Sequence, residues 1–296
     1  MNKVDKNNIH TILIPDIHGR KFWENAMSYI EDGVPVIFMG DYLDVYSHEN
    51  ISRNSAVENF EKILDVAKNN KNVQLLFGNH DAGYALDRSI CDCRTDNRNS
   101  RKINTLFKDN FGLFKLCKTV KVDDEKTFMI SHAGFHPCWL SSYKDTFLKM
   151  SAALGMNFEH IEDFINNVLL APFKPGFWPD ESDDTLFAYK AAIMALGACG
   201  RERGGIDSAG SLIWADIHEF EGMHEVFKYE QIVGHTMQYY TVSPAIIPGV
   251  ITCIDCFDNF FIDKEGDLRR LSDGILAEQV WDANKEERER RCKGLV

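Results

Sequence analysis

Short apolar runs separated by polar stretches set the rhythm of the first third of the chain. Ile9 to Ile14 is one run, ended by Pro15; Val34 to Met39 and Val73 to Phe77 are two more. Short apolar runs bounded by turn residues read as buried strands. Between them the period lengthens. Lys21 to Ile30 carries Phe22, Trp23, Ala26, Met27 and Ile30 near helical spacing, and Asn54 to Ala67 gathers Val57, Phe60, Ile63, Leu64 and Ala67 on one helical face. Tyr46 to Arg53 is polar and reads as a loop. Strand alternating with helix predicts parallel strands joined by crossovers, an α/β core.

The pattern then loosens. Arg88 to Lys102, rich in Arg, Asp and Asn, reads as a loop over the sheet edge, and Ile103 to Cys117 as a helix. Thr119–Val122 and Thr127–Ser131 read as a hairpin around Asp123-Asp124-Glu125. From Cys138 to Gly200, helix-like stretches at Trp139–Leu154, Phe158–Leu170 and Thr185–Cys199 flank a Pro, Gly and aromatic loop at Pro172–Pro179. That region reads as a helical insertion, about 138–200, within one domain spanning 1–296. Its aromatic cluster, Phe173, Phe177 and Trp178, reads as packing of the insertion. Strands return at Ser211–Trp214, Gln231–Val233, Val250–Asp255 and Phe260–Ile262, with a turn at Lys264-Glu265-Gly266-Asp267. A charged tail, about 277–296, follows, with Asn284 to Arg291 read as a solvated helix. The chain has no internal repeat.

Composition narrows the class. A chain of 296 residues with 44% hydrophobic content is globular. The net charge of −12 argues against a surface that coats nucleic acid. No apolar run approaches the ~18 residues of a membrane helix, and the polar start lacks a signal-peptide core. The expected site is therefore the cytoplasm, where eight Cys are expected as free thiols.

Chemistry collects at the ends of the apolar runs. Asp16-Ile17-His18-Gly19, Gly40-Asp41-Tyr42-Leu43-Asp44, Gly78-Asn79-His80-Asp81, Ser131-His132-Ala133-Gly134 and Gly234-His235-Thr236 each follow one. Strand ends are where open α/β sheets place their ligands. Asp, His and Asn form an oxygen and nitrogen donor set suited to Mn, Fe or Zn. Two such ions bridged by a carboxylate and a water serve displacement at phosphorus, the water ionising near neutral pH as the nucleophile. Asp16, His18 and Asp41 can hold one ion; Asp41, Asn79, His132 and His235 can hold the other, with Asp41 as the bridge. His80 then remains as general acid for the leaving oxygen, with Asp44 to orient it. Asp81 reads as a helix cap. His48, His136, His218 and His224 match no segment and read as pocket wall or surface.

The five segments, in this order, resemble the calcineurin-like metallophosphoesterase superfamily. Asp41-Tyr42-Leu43-Asp44 and Gly78-Asn79-His80-Asp81 are most similar to its phosphoprotein-phosphatase-like and dinucleoside-tetraphosphatase-like branches, as is Leu212-Ile213-Trp214-Ala215-Asp216. The resemblance implies a two-sheet β-sandwich with helices on both outer faces, and the ligand assignment above. It departs at two places. Phosphoprotein phosphatases carry a phosphate-gripping Arg after the second Asp of the Gly-Asp-x-x-Asp motif, where this chain has Val45. Arg203 or Arg201 is expected to replace it, with Arg53 and Arg94 next. Met237 stands where many phosphodiesterase branches carry a second His, leaving the ion at Asp16 and His18 poorer in protein ligands.

Cys253-x-x-Cys256 lies in an expected strand, unlike a redox pair at a helix start. With Cys91-x-Cys93 it could make a closed zinc site, but buried thiols are the preferred reading. The expected activity is that of a dimetal phosphohydrolase acting on a phosphomonoester, with Ser/Thr phosphoprotein as leading substrate. A dinucleoside polyphosphate or other nucleotide is the alternative. A catalytically inactive metal-binding regulator is the reading from another class, against which His80 and Asp44 argue.

Overall fold

In the computed structural model, which describes residues 4–179, 184–224, 228–238, 243–285 and 290, the first apolar runs become strands buried on both faces. Strands β1 (Ile9–Ile14), β2 (Val36–Phe38), β3 (Val73–Leu76) and β4 (Phe114–Lys115) pair in parallel. Late strands β10 (Phe260–Asp263), antiparallel to β1, and β11 (Leu268–Arg270), antiparallel to β10, complete this sheet in the order β11-β10-β1-β2-β3-β4. A second sheet runs β5-β6-β7-β9-β8, from Cys117–Lys121, Thr127–Ser131, Glu230–Val233, Ile251–Cys253 and Ala245–Ile247. In it, β6, β7 and β9 are mutually parallel.

Side-chain alternation explains why both sheets stay dry. In the first, Leu13, Ile37, Met39 and Leu76 point at the second sheet and pack with its Phe128, Ile130 and Ile232. Their neighbours Ile12, Ile14, Val36, Phe38, Leu75 and Phe77 face the other way. There they meet helices α1 (Met27–Glu31), α2 (Arg53–Asn69) and α4 (Ser100–Asp109) through Ile30, Phe60, Ile63 and Phe107. The short helix α3 (Asn79–Ala85) sits at the edge, directly after β3. The outer face of the second sheet is covered by the turn Ile217–Phe220 and, through Trp281, by α8 (Ala277–Ala283). The protein is thus an α/β sandwich of two mixed sheets flanked by helices.

Between β6 and β7 the chain forms α5 (Pro137–Ala153), a short α6 (Ile161–Asp163) continued by a wide turn at Phe164–Leu169, and α7 (Asp184–Leu196). Trp139 Nε1 donates to Ala195 O at 2.8 Å and ties α5 to α7. Phe173 packs on Tyr189, but Trp178 is 86% exposed.

Three elements differ from expectation. Ser211–Trp214 is a tight turn, because Ser211 O accepts from both Trp214 N and Ala215 N at 2.8 Å and bends the apolar run back on itself. The expected helix at Ile103–Cys117 stops at Asp109, and Phe114–Lys115 pair as strand beside β3. Ala277 and Val280, inside the expected charged tail, are buried in α8. Most of the tail beyond 285 lies outside the described residues, as does 180–183 of the insertion loop. Among the described residues no helix is long and apolar enough to cross a membrane.

Candidate active site

Six parallel-running strands end at one edge of the sandwich. Past β1 come Asp16 and His18; past β2, Asp41 and Asp44; at the start of α3, Asn79 and His80; past β6, His132; past β7, His235; and past β9, Asp255. The loops are unusually bent. His18, Asp41, Asp44 and His235 have φ of 42°, 53°, 57° and 67°, a left-handed backbone that costs a non-glycine residue about 1–3 kcal/mol. Such bends persist only where surrounding contacts impose them. Asp81 supplies several: its carboxylate accepts from Asp41 N at 2.6 Å, Gly78 N at 2.9 Å and Tyr42 N at 3.1 Å, so the expected cap also clamps the neighbouring loop. Asp16 Oδ2 accepts from His235 N at 2.9 Å. The approach is close enough to require glycine. A Cβ on Gly78 would lie 2.2 Å from Asp41 Oδ1, and one on Gly234 would lie 2.1 Å from Asp16 Oδ2.

Two overlapping groups of ligand atoms result. Asp16, His18 and Asp41 converge within 4.8 Å of one another, as do Asp41, His132 and His235, so Asp41 belongs to both. His18 Nδ1 bonds Leu43 O at 2.7 Å and His132 Nδ1 bonds Met39 O at 2.8 Å. Each carbonyl accepts the Nδ1 proton, which leaves both Nε2 lone pairs aimed at Asp41. The distances to Asp41 Oδ2 are 3.4 Å from His18 Nε2 and 3.6 Å from His132 Nε2. His132 Nε2 also lies 3.1 Å from Asn79 Oδ1 and 3.1 Å from His235 Nδ1.

Acceptors thus face acceptors, with too few protons to share. Burial holds His18 and His235 well below the ordinary imidazole range, so neither supplies a second proton. Burial raises the Asp16 carboxyl. For Asp41 burial also works upward, but its attraction to the His132, His80 and His18 rings and the bond from His80 N prevail and hold it at about 2. A cation among these atoms removes the conflict, and an oxygen and nitrogen set of this kind fits Mn, Fe or Zn.

His80 stands beside this group. Its Nδ1 is 2.9 Å from Asp44 Oδ2, and Tyr84 OH donates to Asp44 Oδ1 at 2.6 Å. Burial depresses the ring's affinity for a proton, but the charge of Asp41 and the bond to Asp44 outweigh it, and the pKa stands at about 9. On the other side Arg94 Nη2 lies 2.9 Å from Nε2, a contact that suits a neutral ring. Arg94 is exposed and its charge is screened, whereas Asp41 and Asp44 are buried, so the carboxylates dominate.

Of the two arginines expected at the phosphate, one reaches the site. Arg203 donates through Nη2 to His235 O at 3.1 Å and Thr236 Oγ1 at 3.0 Å, and its Nε is 2.7 Å from Asp216 Oδ2. Arg201 is exposed on the same turn. Arg53 pairs with Asp96 at 3.6 Å, away from the ligands. Val45 packs against the core, and Arg94 stacks 3.8 Å over the next residue's ring, Tyr46. His48 is exposed, and His136 caps α5, its Nδ1 accepting from Cys138 N.

Asp255 escaped the sequence reading. It is 1% exposed, and neither carboxylate oxygen has a hydrogen-bond partner. Burial and then Asp16 drive its carboxyl well above the usual range. Its signal in the sequence is an apolar run ending in Asp, the same as at the other sites, set between Cys253 and Cys256. Those two thiols are buried, and the candidate cluster around Cys91 and Cys93 includes His80 in their place.

Fold and site together define a metal-dependent phosphoester hydrolase. The model of the calcineurin-like phosphoesterase family matches residues 9–239, and the chain belongs to that family. No curated protein matches the chain.

Proposed function

We propose that the protein is a dimetal phosphomonoesterase of the Ser/Thr phosphoprotein phosphatase type. Asp16, His18 and Asp41 would hold one ion, and Asp41, Asn79, His132 and His235 the other. Bound there, the ions would supply a nucleophile at neutral pH and offset charge on the phosphoryl oxygens. The protein's own groups do the rest. Asp44 and Tyr84 fix the His80 ring. Its Nε2 then presents a proton toward the leaving oxygen. Arg203, anchored by Asp216, holds a cation at the rim, where a non-bridging phosphoryl oxygen can be gripped. Arg94 is the nearer cation to His80.

One observation favours a Ser or Thr ester over a polyphosphate anhydride. The site invests a buried carboxylate, Asp44, in holding His80 Nδ1 at 2.9 Å, an arrangement that favours the protonated ring. An alkoxide leaving group needs that proton; a nucleotide leaving group, already stable as an anion, gains little from it. The test compares a phosphoserine peptide, a dinucleoside tetraphosphate and a phosphodiester after manganese loading, alongside elemental analysis. Two metals per chain with the peptide turned over fastest supports the reading. A preference for the tetraphosphate moves the protein to the nucleotide branch. Two metals with no turnover of any substrate leaves a regulator.

A further inference from the structure

A second cluster of metal-binding side chains lies on the outer side of His80. Cys91 and Cys93 belong to the loop that follows α3. Gly83 lets that loop pack onto the helix, since a Cβ there would lie 2.2 Å from Cys91 O. The packing brings Cys91 Sγ to 3.9 Å from Asn79 Nδ2 and 3.1 Å from Cys93 Sγ. One ligand atom each from His80, Cys91 and Cys93 lies within 4.8 Å of the others. Asp44 occupies His80 Nδ1, so the nitrogen left for a ligand is Nε2. A carboxylate on the far ring nitrogen is the usual support of a metal-binding histidine.

We propose that His80, Cys91 and Cys93 form a third cation site, specific for a soft divalent ion such as Zn2+, whose occupation switches the enzyme off. Zinc holds thiolates at about 2.3 Å and imidazole at about 2.0 Å, which sets neighbouring ligand atoms roughly 3.3–3.8 Å apart. The three ligand atoms, all within 4.8 Å of one another, stand within about 1 Å of that spacing. Three protein ligands leave a fourth position for water.

Softness separates this site from its neighbour. The centre around Asp41 offers oxygen and nitrogen only, whereas two thiolates select Zn2+ over Mn2+. Manganese therefore fills the centre and leaves the cysteines free. Cys93 is already poised as a ligand. Its Sγ lies 3.1 Å from Cys91 Sγ, so an arriving ion meets both sulfurs together, and each thiol gives up its proton as the ion binds. Cys93 is exposed, and so is Arg94, the one group in the way at Nε2. Moving that guanidinium into water costs little. A cation on Nε2 excludes the acid's proton and blocks the path of the leaving group. This inhibitory half rests on His80 acting as the acid; the binding half does not.

The test uses full-length protein under a phosphine reductant. Co2+ added to the manganese-loaded protein should produce near-ultraviolet thiolate-to-cobalt charge-transfer absorption, and Cys93→Ser should abolish it. Zn2+ should inhibit the manganese enzyme, and Cys93→Ser should raise the required concentration about tenfold or more without changing the basal rate. Cys93→Ala is a second variant with the same expectation. Absence of the absorption at every loading, or its persistence in both variants, overturns the site. Equal zinc sensitivity in wild type and variants overturns the inhibition. If the protein proves to turn over no phosphoester, the absorption alone still decides the site.

Discussion

Replacing Asp44 by Asn tests the acid pair most directly. The substitution keeps shape and leaves Tyr84 OH a carbonyl-type oxygen to donate to. It puts an NH2 group where His80 Nδ1 now meets a carboxylate, 2.9 Å away. The protonated ring then loses both a hydrogen bond and a neighbouring charge. In the metal-free protein the rise of His80 from 6.5 to about 9 corresponds, at 1.36 kcal/mol per pH unit, to about 3 kcal/mol. The sign follows from the direction. A histidine with a raised folded pKa stabilises fully below 6.5, and that contribution is lost as pH rises through about 9. Asp41 keeps its share of the effect in the variant, so Asp44 accounts for roughly 1–2 kcal/mol. Urea unfolding of metal-free wild type and Asp44→Asn, between pH 6 and 10, isolates that part, because the other titrating groups cancel. The gap in stability should be widest near pH 6 and narrow by roughly 1–2 kcal/mol toward pH 10. A titration of the ring by NMR should show its pKa falling by about 0.7–1.5 units. Parallel stability curves and an unmoved ring would refute the argument.

Four further outcomes are expected. His80→Asn should keep both metals and lose about 10²–10⁴ in rate for alkyl phosphates, and less for an activated aryl phosphate; steady-state kinetics with both ester types checks this. Arg203→Ala should raise KM for a phosphopeptide about 10–100-fold, as loss of a charged hydrogen bond would, while Arg201→Ala leaves it unchanged. Asp255→Asn should weaken metal binding about 10–100-fold if that carboxylate steadies the ions' water shell. Because its raised pKa costs stability as pH climbs above the usual 3.8, metal-free Asp255→Asn should outlast wild type in thermal melts at pH 8.5 and match it more closely at pH 5. Replacing the insertion loop Pro172–Asp184 with a short linker should reorder a substrate panel but leave metal content intact. The loop's neighbour Tyr189 bonds Asp87 at 2.7 Å, at the root of the loop bearing Arg94.

Strands buried on two faces were easy to read because successive positions are apolar, as in Ile12, Leu13 and Ile14. Short pieces were not. Phe114-Lys115 has no period of its own and becomes strand only because β3 offers an open edge. Ser211–Trp214 is as apolar as a strand, yet Ser211 O closes a turn inside it. The five candidate ligand segments were legible because in each an apolar run gives way to Asp, Asn or His. The grip of Arg94 on His80 was not, since it depends on how a polar loop folds back across 14 residues. Nor did spacing reveal that Asp81 clamps the Asp41 loop.

Asp16 accepts from the backbone of His235 across a separation of 219 residues. That bond sets an order of assembly. Pairing across so long a stretch of chain is slow and comes late in folding. Until β7 has docked, the group of Asp41, His132 and His235 is incomplete, although Asp16, His18 and Asp41 all come from the N-terminal strands. A chain leaving the ribosome therefore cannot assemble the paired centre while only its N-terminal half has folded. The choice of metal therefore falls to the finished site and to the ions around it at that moment, and release of the ion need not unravel what was built without it.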